Sequence, residues 1–105
     1  MANGRDVREV KRIRNEMLVA LKVIYPAAMQ ARALLRSLLV LFPTLEFCHM
    51  RRDLHYLQEK GYVERVSPDS EGDTVMTPWR CRWFRLTPSG MDLADRCIHD
   101  PALEE

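Results

Sequence analysis

The sequence is poor in the groupings that enzymatic chemistry needs. Its four glycines are scattered, so there is no phosphate-cradling loop and no cofactor is implied. Its three histidines, His49, His55 and His99, include no pair four apart, which removes the helical zinc arrangement. His49 and His55 are six apart, about 240° around a helix axis, and cannot grip one ion from a single helix. The three cysteines, Cys48, Cys81 and Cys97, form no Cys-x-x-Cys pair, so free thiols in a reducing, cytoplasmic setting are expected rather than a disulfide framework. Cys48 stands next to His49, but neighbours on a helix point about 100° apart, a poor start for a nucleophile and its base. Neither a catalytic site nor a metal site is expected.

Long apolar runs are missing too. Those around Met17 to Ile24 and Leu34 to Phe42 are broken by Lys22 and Arg36 and are too short to span a bilayer, and the first 16 residues are polar and charged, unlike a secretory leader. No membrane partner is expected. Nor is there a strong net charge: the formal value is +1, with 47% hydrophobic and 30% charged residues, the composition of an ordinary globular chain. The distribution says more. Residues 1–66 hold 12 Lys/Arg against 7 Asp/Glu, and residues 67–105 hold 4 against 8, so a basic front is joined to an acidic back. The length of 105 residues suits one domain, residues 1–105, with 1–5 and 100–105 expected to be flexible.

The organising stretch runs from Cys48 to Val63. Phe47, Met50, Leu54 and Leu57 recur at spacings of three and four, one buried stripe on a helix, and Gly61 can take the left-handed geometry that releases the chain into a strand over Tyr62 to Val66. With that stripe inward, Arg52 points outward, flanked by Cys48, His49, Arg51, His55 and Tyr56. Upstream, Val7, Val10, Ile13, Met17, Leu21 and Ile24 predict a first helix from Asp6 to Tyr25. Its front carries Arg5, Arg8, Lys11, Arg12 and Arg14, which serve either as a solvated face or as phosphate contacts or a dimerisation arm.

Pro26 suits the first turn of a second helix, predicted over Ala27 to Leu41 and apolar around much of its circumference. A compact turn at Phe42-Pro43-Thr44 follows, with Thr44 able to cap the third helix. Beyond the strand, Ser67 to Thr74 reads as a loop, Trp79 to Leu86 as the returning strand with Phe84 and Leu86 inward, and Ser89 to Ile98 as a last helix capped by Thr87 or Ser89. A short strand between the first two helices is also allowed.

His49-Met50-Arg51-Arg52-Asp53-Leu54-His55-Tyr56-Leu57-Gln58-Glu59-Lys60-Gly61-Tyr62-Val63 closely resembles the recognition helix and following strand of winged helix-turn-helix regulators, most of all the DeoR-type pattern T-[IV]-R-R-D-L-x-x-L-x-x-x-G-[LY]-[IV], with His49 in place of the usual Thr. Phe84-Arg85-Leu86-Thr87-Pro88-Ser89-Gly90 is similar to the Y-x-L-T-x-x-G that ends the second wing strand in many such domains. The resemblance implies an α+β winged helix-turn-helix: a three-helix core, a C-terminal β-hairpin wing and a final helix. It also implies a small bacterial or phage-type transcription regulator with sequence-specific binding of double-stranded DNA, and with DNA as partner a homodimer is expected, because two half-sites multiply affinity. There is no room in this length for the ligand-sensing domain of full-length DeoR-type proteins, so their sugar-phosphate response does not carry over.

Arg52 is the first choice for a base contact, because the guanidinium fork matches the guanine O6 and N7 acceptors, with Cys48, Arg51, His49, His55 and Tyr56 reaching bases or phosphates around it. Arg80 and Arg82, in one strand with Trp79 and Trp83, offer a second basic element. Asp69, Glu71 and Asp73 at the tip oppose a duplex. Either the tip folds aside, or Trp79 and Trp83 serve a protein partner in an adaptor without physiological DNA binding, or the two indoles simply cover the sheet.

Overall fold

The computed structural model describes residues 7–66 and 77–95. In chain order they form α1 (Val7–Ile24), β1 (Met29–Gln30), α2 (Ala31–Leu39), α3 (Phe47–Glu59), β2 (Val63–Val66), a 3-10 turn (Trp79–Cys81), β3 (Trp83–Leu86) and α4 (Pro88–Ala94). The class is α+β: four helices with one three-stranded antiparallel sheet in the order β1-β3-β2. Met1 to Arg5, the loop with Asp69, Glu71 and Asp73, and Cys97, Ile98 and the acidic tail lie outside the described residues.

The apolar periodicities converge on one core. Ile13, Met17, Leu18 and Leu21 of α1 meet Leu34 and Leu38 of α2, Met50, Leu54 and Leu57 of α3, Val63, Phe84 and Leu86 of the sheet, and Leu93 of α4. Burial of these side chains, at about 1.5–3 kcal/mol each, is the main favourable contribution to folding. Val7, expected on the inner stripe of α1, is exposed.

Tertiary partners move three boundaries. Pro26 does not open the second helix: Met29 pairs with Phe84, Gln30 with Trp83, and the Ala31 amide donates to the Arg82 carbonyl at 3.0 Å. The backbone groups of this segment are satisfied by β3, so α2 starts at Ala31. It stops at Leu39, and Val40 and Leu41 beyond it are exposed rather than clamped. Phe42 is the buried anchor of the turn that follows. Thr44 does not cap α3; the N-cap residue is Glu46, without a side-chain cap bond, and its carbonyl accepts from the His49 and Met50 amides at 3.1 Å.

The other end of α3 is closed as its glycine requires. Gly61 has φ of 83°, the Tyr62 amide donates to the Leu57 carbonyl at 3.0 Å and the Gly61 amide to the Gln58 carbonyl at 3.1 Å. This is the Schellman pair of bonds, with Tyr62 and Leu57 both buried beside it.

The returning strand is shorter than expected. Trp79–Cys81 coils into the 3-10 turn, closed by the Cys81 amide on the Pro78 carbonyl at 2.9 Å and the Arg82 amide on the Trp79 carbonyl at 3.1 Å, so only Trp83–Leu86 is extended. Val63 pairs with Leu86, Glu64 with Arg85, Arg65 with Phe84 and Val66 with Trp83. Phe84 and Leu86 point into the core as their alternation predicts. Thr87 caps α4, its hydroxyl oxygen accepting from the Gly90 amide at 3.0 Å.

Candidate nucleic-acid interface

Helix α3 is oriented by the residues between its apolar anchors. Asp53 is 0% exposed, and Arg14 of α1 reaches it with Nε 3.2 Å from Oδ1. The same guanidinium lies 4.0 Å from the centre of the Tyr56 ring. Asp53 stands three residues after Met50 and four before Leu57, so it sits on the buried stripe, and a buried carboxylate there demands a cation. One arginine therefore ties α1 to α3 by charge and by ring stacking. Tyr56 is half-buried, its ring against the Arg14 guanidinium. Arg12 is likewise engaged, 5.3 Å from the Phe42 ring centre. Of these two basic residues of the first helix, Arg14 fastens α1 to α3, and Arg12 is exposed.

With that face turned in, Arg51, Arg52 and His55 are exposed along the opposite side of α3. They border an open groove of about 890 Å³, lined also by Cys48, Gln58 and Glu59 of the helix and closed on its far side by Trp79 and Arg82. Four basic or imidazole side chains from two segments thus face one concavity. Among the described residues, neither Arg51 nor Arg52 is paired with a carboxylate. Arg51 instead lies 5.5 Å from the Trp79 ring centre. His55 has Glu59 one turn on, with Nε2 to carboxylate 3.6 Å on an exposed surface.

The expected residues do not all meet. Cys48, Arg51, Arg52, His55 and Arg82 share the groove, whereas His49, Tyr56 and Arg80 do not line it. Arg82 is half-buried and donates from Nε to the Thr77 carbonyl at 3.0 Å, so one edge of its guanidinium is already taken. Arg80 is exposed on the 3-10 turn with its guanidinium 4.6 Å from the Phe47 ring centre. Trp79 is half-buried between Phe47, 5.5 Å away and edge-on, and Phe84, 5.3 Å away. That cluster is what pulls the turn back against the start of α3. Trp83 remains half-buried on the outer face of the sheet, opposite Gln30 and Val66.

Sequence reasoning missed Asp53 and Arg14 although the signal was present. Arg14 falls between Leu18 and Leu21 on the wheel of α1, and Asp53 borders the stripe of Leu57, Met50 and Leu54 on α3. Opposite charges at two buried-stripe positions point to a tie between those helices. Phe47, Gln58 and Glu59, the other lining residues missed, carried no signal, because which outer residues edge a groove depends on where the 3-10 turn lies.

No described helix is long and apolar enough to cross a membrane. Comparison with protein-family models, curated proteins and solved structures found no match.

Proposed function

We propose that this chain is a winged helix-turn-helix regulator that binds double-stranded DNA, with α3 entering the major groove and the β2–β3 pair as its wing. The observation that carries the reading is the exposed Arg51–Arg52 pair on the outer face of α3, free of carboxylate partners among the described residues and facing the same groove as Arg82. A major groove about 12 Å wide admits one helix, and two exposed guanidinium groups on its outer face suit phosphates and guanine edges. Arg52 is assigned the base contact, Arg51 the phosphate next to the Trp79 side, and His55 and Cys48 the flanks. Arg80 is a backbone contact outside the groove. A homodimer belongs to the proposal, since two half-sites multiply affinity.

The test is fluorescence anisotropy on a mixed-sequence duplex over a salt series. Affinity is expected to fall steeply with salt, and replacing both Arg51 and Arg52 with Ala is expected to weaken binding and to lower the log–log slope by roughly 0.9, from the one phosphate assigned to Arg51. No binding even at low salt, or an unchanged slope in the double variant, would sink the reading.

A second reading, a protein-interaction module, is favoured by one observation: Val40 and Leu41 stand exposed, at 80% and 52%, at the turn before α3. Trp83 would join them more readily than Trp79, whose ring is already packed. That reading predicts a partner lost on Val40→Asp or Trp83→Ala while DNA affinity is nil throughout.

A further inference from the structure

At the N-terminus of α3, three side chains of different donor chemistry converge. The carboxylate of Glu46, the thiol of Cys48 and the imidazole of His49 place one ligand atom each within 4.8 Å of the others. The backbone holds them there. Glu46 is the extended residue before the first turn, Cys48 and His49 lie in that turn, and the His49 and Met50 amides are both tied to the Glu46 carbonyl at 3.1 Å. The Cys48 sulfur lies 3.6 Å from the Glu46 carboxylate oxygen. Glu46 and Cys48 are exposed and His49 is half-buried, so an ion can reach all three.

We propose that Glu46, Cys48 and His49 form a binding site for a zinc ion. A tetrahedral zinc holds N, O and S ligand atoms about 3.3–3.6 Å apart. The Cys48 and Glu46 ligand atoms already lie 3.6 Å apart, so it is at His49 that the cluster has to draw in, by roughly 1 Å. A thiolate with an imidazole selects zinc and its neighbours over magnesium or calcium, which take oxygen ligands. Three protein ligands leave the fourth position to water or to a group brought by a partner. Binding balances as one zinc ion taken up for one proton released: the Cys48 S–H bond breaks, its sulfur pair forms the Zn–S bond, and the proton goes to solvent. The Glu46 carboxylate and a neutral ring nitrogen of His49 donate without further loss. The expectation of no metal site rested on histidine spacing alone and did not consider a carboxylate reaching forward from the cap.

The site stands independently of the DNA reading. If that reading holds, a bound ion adds a consequence: it cancels the Glu46 charge at the end of α3 nearest a phosphate backbone, and zinc tightens duplex binding.

The test uses the full, reduced chain titrated with cobalt(II) as the spectroscopic probe. One equivalent is expected to develop an intense thiolate-to-cobalt charge-transfer band in the near ultraviolet, bleached by one equivalent of zinc. Cys48→Ser abolishes the band, while Cys81→Ser and Cys97→Ser retain it. Glu46→Gln and His49→Ala each weaken cobalt binding by at least about tenfold, a loss seen even for outer-shell partners. All three ligand side chains reach the surface, and circular dichroism checks that the variants keep their helices. A missing band at stoichiometric cobalt, a band that survives Cys48→Ser, or unchanged affinity in both Glu46→Gln and His49→Ala overturns the proposal. Failure of duplex binding leaves this readout intact.

Discussion

Replacing Gly90 with alanine reverses the sign usually expected for a glycine in a helix. Where backbone and space permit, Gly→Ala stabilises by about 0.4–1 kcal/mol, by restricting the unfolded chain. Here a Cβ on residue 90 would stand 2.0 Å from the Tyr62 carbonyl oxygen and 3.0 Å from Leu86 Cδ2, against 3.4 Å for the nearest ordinary contact. Either α4 or the Tyr62 peptide must withdraw by about 1.4 Å. Both are held: Tyr62 oxygen accepts the Thr87 amide at 3.0 Å, and Thr87 caps α4 through the Gly90 amide while its hydroxyl donates to the Gly61 carbonyl. Weakening the Thr87–Tyr62 bond costs about 1 kcal/mol and disturbing the cap about 1 more. The strain of overpacking falls in the same range of about 1–3 kcal/mol. Gly90→Ala should therefore destabilise by about 2 kcal/mol, a urea midpoint lower by roughly 1–2 M at the slopes usual for small domains. Gly61→Ala is the contrasting control. A Cβ there meets nothing within 4 Å, but φ is +83°, so it costs about 1–2 kcal/mol through backbone conformation alone. Gly61→Asn should recover part of that loss, and Gly90→Asn should recover none. A Gly90→Ala protein as stable as the parent, or more so, would refute the close approach that fastens α4 to the end of α3.

Further outcomes follow from the contacts around the groove. Arg14→Met leaves Asp53 buried without its main cation and should cost about 3 kcal/mol, the lower end for a broken buried pair because Arg14 is 20% exposed and Asp53 has a further partner. Adding Asp53→Leu should restore most of the loss in urea denaturation; a double variant no better than Arg14→Met would contradict the assignment. Trp79→Ala opens the packing with Phe47 and Phe84 and should cost about 2 kcal/mol. Calorimetry should then show Trp83→Ala affected much less. The Glu64–Arg85 pair across the strands is 2.7 Å long, but both side chains are more than 40% exposed, so Glu64→Gln should shift stability by under about 0.5 kcal/mol. A loss above about 1 kcal/mol would mean that the surface is less solvated than its exposure implies.

How far the sequence revealed this molecule depends on the range of the interactions concerned. Where a residue's fate is set by neighbours within a turn or two, the chain is legible. The stripe of Met50, Leu54 and Leu57, the left-handed Gly61, the inward Phe84 and Leu86 and the Thr87 cap all stand as expected. Where a distant segment supplies the partner, it is not. Residues 29 and 30 read locally as helix because Pro26 and Ala27 suit a first turn; the short strand allowed between the first two helices is there, but its place is set by β3, which captures their backbone groups across more than fifty residues. Trp79 to Arg82 alternate like a strand, yet the ring of Phe47 holds Trp79 in a turn, so Arg80 and Arg82 lose the common face that their parity promised.

The same distinction separates the parts of the candidate site. Arg51, Arg52 and His55 are placed by helical geometry alone, and they lie where a wheel centred on Arg52 puts them. Tyr56, one position further round, is half-buried against Arg14, a residue of α1 whose role could be inferred only by treating Asp53 as a core residue needing a counter-charge. A charged residue at a buried-stripe position is therefore as informative as an apolar one: it names the partner helix. Applied to α1, this separates Arg14, which faces α3, from Lys22, which meets Asp95 just past α4 at 2.6 Å on the surface. The basic front of the chain thus divides by geometry. Arg14 is committed to Asp53 and the Tyr56 ring, whereas Arg51 and Arg52 stand on the far side of α3 facing one groove, which is why they are the pair on which an anionic partner should depend.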